Sequence, residues 1–295
     1  MGFGHNRITL EIADTVFGIE SERADCSVHL TDAFRSFLCS SEPQITITVS
    51  TEPIPAIIPL ERHRIFEAWD RWSLYSIDDR EVLVERDSFS SAVPQRVLIF
   101  DRNTRRGKFF FRCGDEPWLN GSSAPNPLDY PLGHVLMICL LARERGLLVH
   151  GCGIDDQGRG YLFQGNSGHG KSTMAGLWNG TGRILNDECI VLRERGGQVR
   201  MYGTPWHGSY NAVSPNSVSV EKVCFLVRGE QNGAAHVTGA AASAMILSRS
   251  FPPLWDSKGM SLTLDFLATL CEQAPCYELA FVPGENVIEF VRCMK

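Results

Sequence analysis

No stretch of this sequence is long and apolar enough to cross a bilayer. The longest uninterrupted apolar run, Val135 to Ala142, falls far short of the ~20 residues a membrane helix needs. CxxC is missing too. Ten cysteines are present, but the nearest two, Cys271 and Cys276, are separated by four residues. Such spacings outline neither a disulfide framework nor a zinc site. Cys139, Cys224 and Cys293 sit in apolar stretches, which reads as reduced, buried thiols and a reducing compartment rather than secretion. Long runs of one charge sign are absent, and the formal net charge is -6. That argues against nucleic acid as a partner, because such domains usually carry a basic stripe. The opening "MGFGHNRITL" holds no apolar signal core, and Asn6 stands where a myristoylation motif wants Ser or Thr. These absences lead to the expectation of a cytoplasmic protein with no membrane partner. There is no internal repeat and no low-complexity tract.

What is present suits a globular chain. With 295 residues, 43% hydrophobic, it can form one large domain or two modest ones and bury a core without disulfides. Residues 1–115 read as a β-rich domain. "QITITVS" (44–50) alternates, setting Ile45, Ile47 and Val49 on one face. "WSLYSI" (72–77), "EVLVER" (81–86), "RVLIFD" (96–101) and "KFFFR" (108–112) follow closely, with turn residues at Asp78-Asp79 and Arg102-Asn103. The expectation is an antiparallel meander with one short helix near Thr31–Leu38. Residues 116–131, rich in Pro, Gly, Ser and Asn, read as a linker.

Residues 132–295 read as a mixed α/β domain. A helix is expected over 132–145, capped by Gly146. "LLVHGCGI" (147–154) reads as one buried strand, "YLFQ" (161–164) as a second, and "KSTMAGLW" (171–178) as a helix. Strands follow at 183–185, 189–194 and 223–227, with a hairpin signal at "ERGGQ". Helices over 240–250 and 261–274 flank "FPPLW" (251–255), which reads as packing between them. A strand closes the pattern at 276–281.

"GNSGHGKS" satisfies GxxxxGK[ST], the Walker A spacing, through Gly165, Gly170, Lys171 and Ser172. Small residues let main-chain N–H groups curl around phosphate oxygens, and the following helix directs its positive end there. On this reading Gly165, Asn166, Ser167, Gly168, His169, Gly170, Lys171, Ser172 and Thr173 hold the phosphates of ATP. Lys171 reaches the β- and γ-phosphates, and Ser172 ligates Mg2+. The bland alternative, a glycine-rich turn, fits less well, because a hydrophobic strand enters the segment and a helix leaves it.

Two more candidates flank the loop. "ILNDECI" (184–190) ends an apolar strand in Asp187 and Glu188. Adjacent residues of an extended segment face opposite ways, so one acid would help hold Mg2+ while the other accepts a proton from an incoming hydroxyl. Against this stands the reading of two solvated acids at a strand end. His150, on an apolar strand, is either a satisfied core histidine or part of the site. "GTPWHG" (203–208) sets Trp206 and His207 in a loop where an aromatic ring could stack on a base, grip a peptide or fill a small cluster.

Together, "VHGCGI…GYLFQGNSGHGKST…GRILNDECIVL" resembles the catalytic domain of the HPr kinase/phosphorylase family, best over residues 146–195. The resemblance does not extend to the first 115 residues. It implies a P-loop kinase domain of that type, using ATP and Mg2+ to phosphorylate a serine or threonine of a peptide or small protein. It implies that His150 helps position the γ-phosphate end, that Asp187 accepts the substrate proton, and that Glu188 takes the metal-associated place of an aspartate. The family's next arginine is Cys189 here, and its downstream arginine-and-glycine signature is not found, so the implied chemistry is kinase without phosphorylase. Assembly into homo-oligomers is a further family trait. Two rivals stand beside this reading: a catalytically inactive ATP-binding module that presents its N-terminal domain to a partner, and a small-molecule kinase.

Overall fold

Alternating apolar residues shape most of the N-terminal strands. The computed structural model describes residues 7–55, 61–68, 72–86, 93–101, 105–112, 123–166, 168–284 and 286–294. By internal contacts the chain divides into two units, Met1–Leu136 and Met137–Lys295. In the first, β1 (Arg7–Ile12), β2 (Thr15–Ser21), β3 (Ser27–Val28), α1 (Asp32–Arg35), β4 (Ile45–Val49), β5 (Arg64–Glu67), β6 (Trp72–Ile77), β7 (Arg80–Arg86), β8 (Pro94–Asp101), β9 (Arg106–Phe111) and β10 (Ser123–Ala124) follow one another. Eight of them form a sheet in the order β1-β2-β4-β9-β8-β7-β6-β5. β4 buries Ile45, Ile47 and Val49, as its alternation requires.

The expected antiparallel meander needs correction. β5 to β9 do form one, but β4 pairs in parallel with both β2 and β9. The chain leaves β2, makes β3 and α1, and returns beside β2 in the same direction; a connection that long permits a parallel partner where a tight turn would not. The helix expected near 31–38 is shorter, with Thr31 at its N-cap. The expected turn at Arg102-Asn103 and residues 116–122 of the expected linker lie outside the described residues. Residues 123–131 are packed rather than linker-like. β10 pairs with β3, Ala124, Asn126 and Leu128 are buried, and Asn126 Oδ1 accepts from Leu128 N at 3.0 Å.

α2 (Leu132–Leu141) spans the division between the units and is buried all round, consistent with its uniformly apolar sequence. It stops short of the expected 145, and Gly146 opens a strand instead of capping the helix. A Cβ there would lie 2.9 Å from Leu192 O, so glycine permits close pairing.

The second unit continues with β11 (Gly146–His150), β12 (Cys152–Asp156), β13 (Arg159–Gln164), α3 (Lys171–Trp178), β14 (Arg183–Asn186), β15 (Cys189–Arg195), β16 (Gln198–Tyr202), β17 (Ser217–Arg228), β18 (Gly233–Val237), α4 (Gly239–Leu247), α5 (Ser257–Gln273), β19 (Cys276–Phe281) and α6 (Asn286–Cys293). The single strand expected over 147–154 is two. Gly151 interrupts it, β11 pairs with β15, and β12 pairs with β13 and β14. β13, β17 and β19 run parallel.

β17 shows why this sheet is covered twice. Val223 and Phe225 pack with Ala242, Ile246, Phe266 and Leu270 of α4 and α5. Cys224 and Leu226 pack with Met174, Trp178, Val287 and Val291 of α3 and α6. A strand buried on both faces suits parallel pairing. α5 begins earlier than expected because Asp256 caps it, accepting from Lys258 N and Gly259 N. "FPPLW" packs less than expected: Pro253 is buried, while Phe251 and Leu254 are exposed. Cys293 is also exposed, at the end of α6.

Candidate active site

The parallel strand β13 runs into the glycine-rich segment, and α3 leaves it. In α3, Lys171, Met174, Ala175 and Trp178 are buried, a helical stripe that draws Lys171 inward and leaves Thr173 exposed. Lys171 Nζ donates to Gly165 O at 2.8 Å and to Asn166 O at 3.5 Å, back across the loop. Burial pushes its pKa down, opposed by the nearby carboxylates Glu188 and Asp187. Gly170 takes φ 97°, a left-handed value that favours glycine, and a Cβ there would lie 2.7 Å from the Phe281 ring. His169 turns aside from the cleft lining: its Nδ1 lies 3.0 Å from Leu226 O. Ser167 lies outside the described residues.

Asp187 and Glu188 occupy the turn between β14 and β15. Asn186 fixes that turn. Its Oδ1 accepts from Glu188 N at 2.7 Å and from Cys189 N at 2.8 Å, while its Nδ2 donates to Thr204 O at 2.8 Å. The two acids then take different partners. Asp187 is fully buried. Gly208 N donates to its Oδ1 and Tyr210 N to its Oδ2, each at 2.8 Å, and the Ser172 hydroxyl lies 3.4 Å from Oδ2. Glu188 is partly exposed, and its Oε1 lies 3.2 Å from His150 Nδ1. The contact follows from the β11–β15 pairing, which sets His150 opposite Cys189.

These groups border a cleft of about 400 Å3 lined by His150, Gly168, Gly170, Lys171, Ser172, Thr173, Glu188 and Ser209. Of the residues singled out in the sequence, His150, Gly168, Gly170, Lys171, Ser172, Thr173 and Glu188 line this cleft, and Asp187 is buried beside Ser172. Asn186, Thr204, Gly208 and Ser209 were not anticipated. Ser209 Oγ lies 3.1 Å from Ser172 Oγ. Gly208 is a close approach: a Cβ would meet Asp187 Oδ2 at 2.8 Å and Glu188 Oε2 at 2.9 Å. A glycine and a serine just after "TPWH" were the available signal. Trp206 is buried, while His207 is exposed.

The donor set suits a phosphorylated ligand: one ammonium, three hydroxyls and a glycine-rich loop. Among the described residues no three His, Cys, Asp or Glu side chains cluster to hold a metal ion. A hydroxyl beside one buried carboxylate instead fits a hard cation such as Mg2+ that takes its other ligands from water and phosphate.

No family model matches this sequence, and no curated protein matches it. Among solved structures, the Hpr(Ser) kinase/phosphatase from Coxiella burnetii is similar at 16% sequence identity and a TM-score of 0.32, over 49% of this chain and 93% of that one. The described residues form a mixed α/β chain with extensive sheets and six helices. No helix among them is long and apolar enough to cross a membrane.

Proposed function

We propose that this chain is an ATP-dependent kinase acting on a hydroxyl, with a serine or threonine of a peptide or small protein as acceptor. The observation that carries the reading is the Ser172 hydroxyl 3.4 Å from the buried Asp187 carboxylate, at the start of a helix whose first residue is the inward-drawn Lys171. Main-chain N–H groups of the loop bind phosphate oxygens, and Lys171 swings from the carbonyls of Gly165 and Asn166 to the β- and γ-phosphates. Mg2+, held by Ser172 and Asp187, would neutralise charge on the transferring group. The roles of the two acids are exchanged relative to the family resemblance. Both Asp187 oxygens already accept main-chain N–H groups, which suits a fixed metal-side carboxylate. Glu188 borders the cleft beside His150, so it takes the acceptor hydroxyl's proton, and His150 orients it. Placement and electrostatics then supply most of the barrier reduction.

The test is transfer from γ-labelled ATP in the presence of copurifying partners. Label on a polypeptide supports the proposal. Label on a small metabolite moves the acceptor to another class, and bound ATP with no transfer leaves a binding module.

A further inference from the structure

The chain between β16 and β17 returns beside the glycine loop, and main-chain hydrogen bonds fix it there. Thr204 O accepts from Asn186 Nδ2 at 2.8 Å, Gly208 N and Tyr210 N each donate to the buried Asp187 carboxylate at 2.8 Å, and Ser214 N donates to Leu185 O at 2.9 Å. The Tyr210 ring rests against Gly176 of α3, where a Cβ would lie 3.5 Å from Tyr210 Cε2. Ser209 therefore sits between two neighbours bonded to one carboxylate. Ser209 itself is exposed and lines the cleft, with its Oγ 3.1 Å from Ser172 Oγ. Glu188 approaches the same stretch because residue 208 is glycine: a Cβ there would meet Glu188 Oε2 at 2.9 Å. A hydroxyl of the chain itself thus stands in the cleft between the glycine loop and a carboxylate, on a segment whose backbone is already fixed.

We propose that Ser209 is a site of self-phosphorylation within one chain, an inference that rests on the kinase reading above. The Ser209 oxygen attacks the γ-phosphorus of ATP bound in the same cleft. The bond from that phosphorus to the β,γ-bridging oxygen breaks, ADP leaves, and the hydroxyl proton passes to Glu188. Because acceptor and donor share one cleft, the step is unimolecular once ATP is bound. The product is also self-limiting. A phosphoserine at 209 brings a dianion next to Ser172 and the Asp187 carboxylate, where it competes with the phosphates of ATP for the same loop and repels them. The modified chain should therefore lose affinity for ATP until the phosphate is removed.

The test uses the full chain, first treated with a phosphatase that is then removed, and incubated with γ-labelled ATP and Mg2+, alone and with copurifying polypeptides. Peptide mapping by mass spectrometry locates the label, and calorimetry with ATP follows its consequence. The expected result is label on Ser209, gained at a rate per chain that does not change on dilution, and loss of ATP binding in the labelled protein. Ser209→Ala should lose the label, Ser209→Thr should take it at the same position, and Lys171→Met should stay unlabelled. Label on a copurifying polypeptide with none on Ser209 overturns this inference and leaves the kinase reading standing, with Ser209 serving only the metal or the nucleotide. ATP bound with no label anywhere overturns both. Label on another serine or threonine of the chain, a rate that falls on dilution, label on Ser209 in Lys171→Met, or undiminished ATP binding by the labelled protein also overturns the proposal.

Discussion

Two adjacent carboxylates, Glu188 lining the cleft and Asp187 buried beside Ser172, live under different constraints, and that difference is open to test. Replacing Asp187 by Asn turns an amide group toward the N–H donors of Gly208 or Tyr210, and neither can accept from it. Asp187→Asn should therefore cost about 1–3 kcal/mol of stability, read from urea unfolding, and weaken metal-dependent nucleotide binding. Glu188→Gln faces an open cleft. It should keep the urea midpoint and ATP affinity while lowering transfer by about 10²-fold or more. Unchanged turnover in Glu188→Gln would return the proton-acceptor role to Asp187. Lys171 has a third signature. Burial lowers its pKa, so the nucleotide-free protein carries the cost of a buried charge at every pH below the folded value, and that cost lifts only as pH rises toward the ordinary 10.5. Lys171→Met should abolish ATP binding in calorimetry yet unfold, without nucleotide, at a temperature no lower than the parent. A clear drop in Tm at neutral pH would make Lys171 a structural residue first.

At the scale of elements, the glycine loop is held by its neighbour β19. Gly170 sits at φ 97° with the Phe281 ring where its Cβ would go. Gly170→Ala should cost about 1–2 kcal/mol for the left-handed backbone and a further ~1–3 kcal/mol for the clash. Adding Phe281→Ala should recover none of the first part. A double variant as stable as the parent would show that the loop relaxes to another conformation. The same elements show what the sequence made legible. The α3 boundaries were readable because a contiguous motif joins a strand to a helix. β4 and β19 were readable because apolar alternation and flanking turn residues bound them. β18, "GAAHV", has small residues of low strand preference and forms only by pairing with β19. The β1–β2 turn uses Ala13 and Asp14 at positive φ, so no glycine announced it. Parallel pairing of β4 with β2 and β9 depends on partners far away in the chain. The same reason hid Asn186 and Thr204, which shape the site through main-chain hydrogen bonds rather than through a motif.

The stability of the molecule at low pH turns on how α6 is joined to the sheet. Asp156 of β12 is fully buried and accepts from Arg292 Nε and Nη2, each at 2.9 Å, and from Arg159 Nη2 at 2.8 Å. Arg292 also lies over the Trp178 ring at 5.5 Å, so it ties α6 to both β12 and α3. Lys222 Nζ closes the helix end by donating to Val291 O at 3.0 Å. The Arg292 hydrogen bond outweighs desolvation and holds the Asp156 carboxyl below its ordinary 3.8. A carboxylate depressed in this way contributes its full stabilisation above the unfolded pKa and loses it as pH falls through the folded one. Arg292→Met leaves the buried Asp156 with Arg159 alone and should cost about 3 kcal/mol at pH 7. Urea unfolding of parent and variant at several pH values checks the sign. The gap should narrow as pH falls through the variant's own folded Asp156 pKa toward the parent's depressed one, because the variant sheds an uncompensated charge first and the parent then loses a favourable ion pair. A gap that stays constant down to acid pH would assign the contribution to Arg292 packing on Trp178 instead, with the charge of Asp156 playing no part in holding α6 in place.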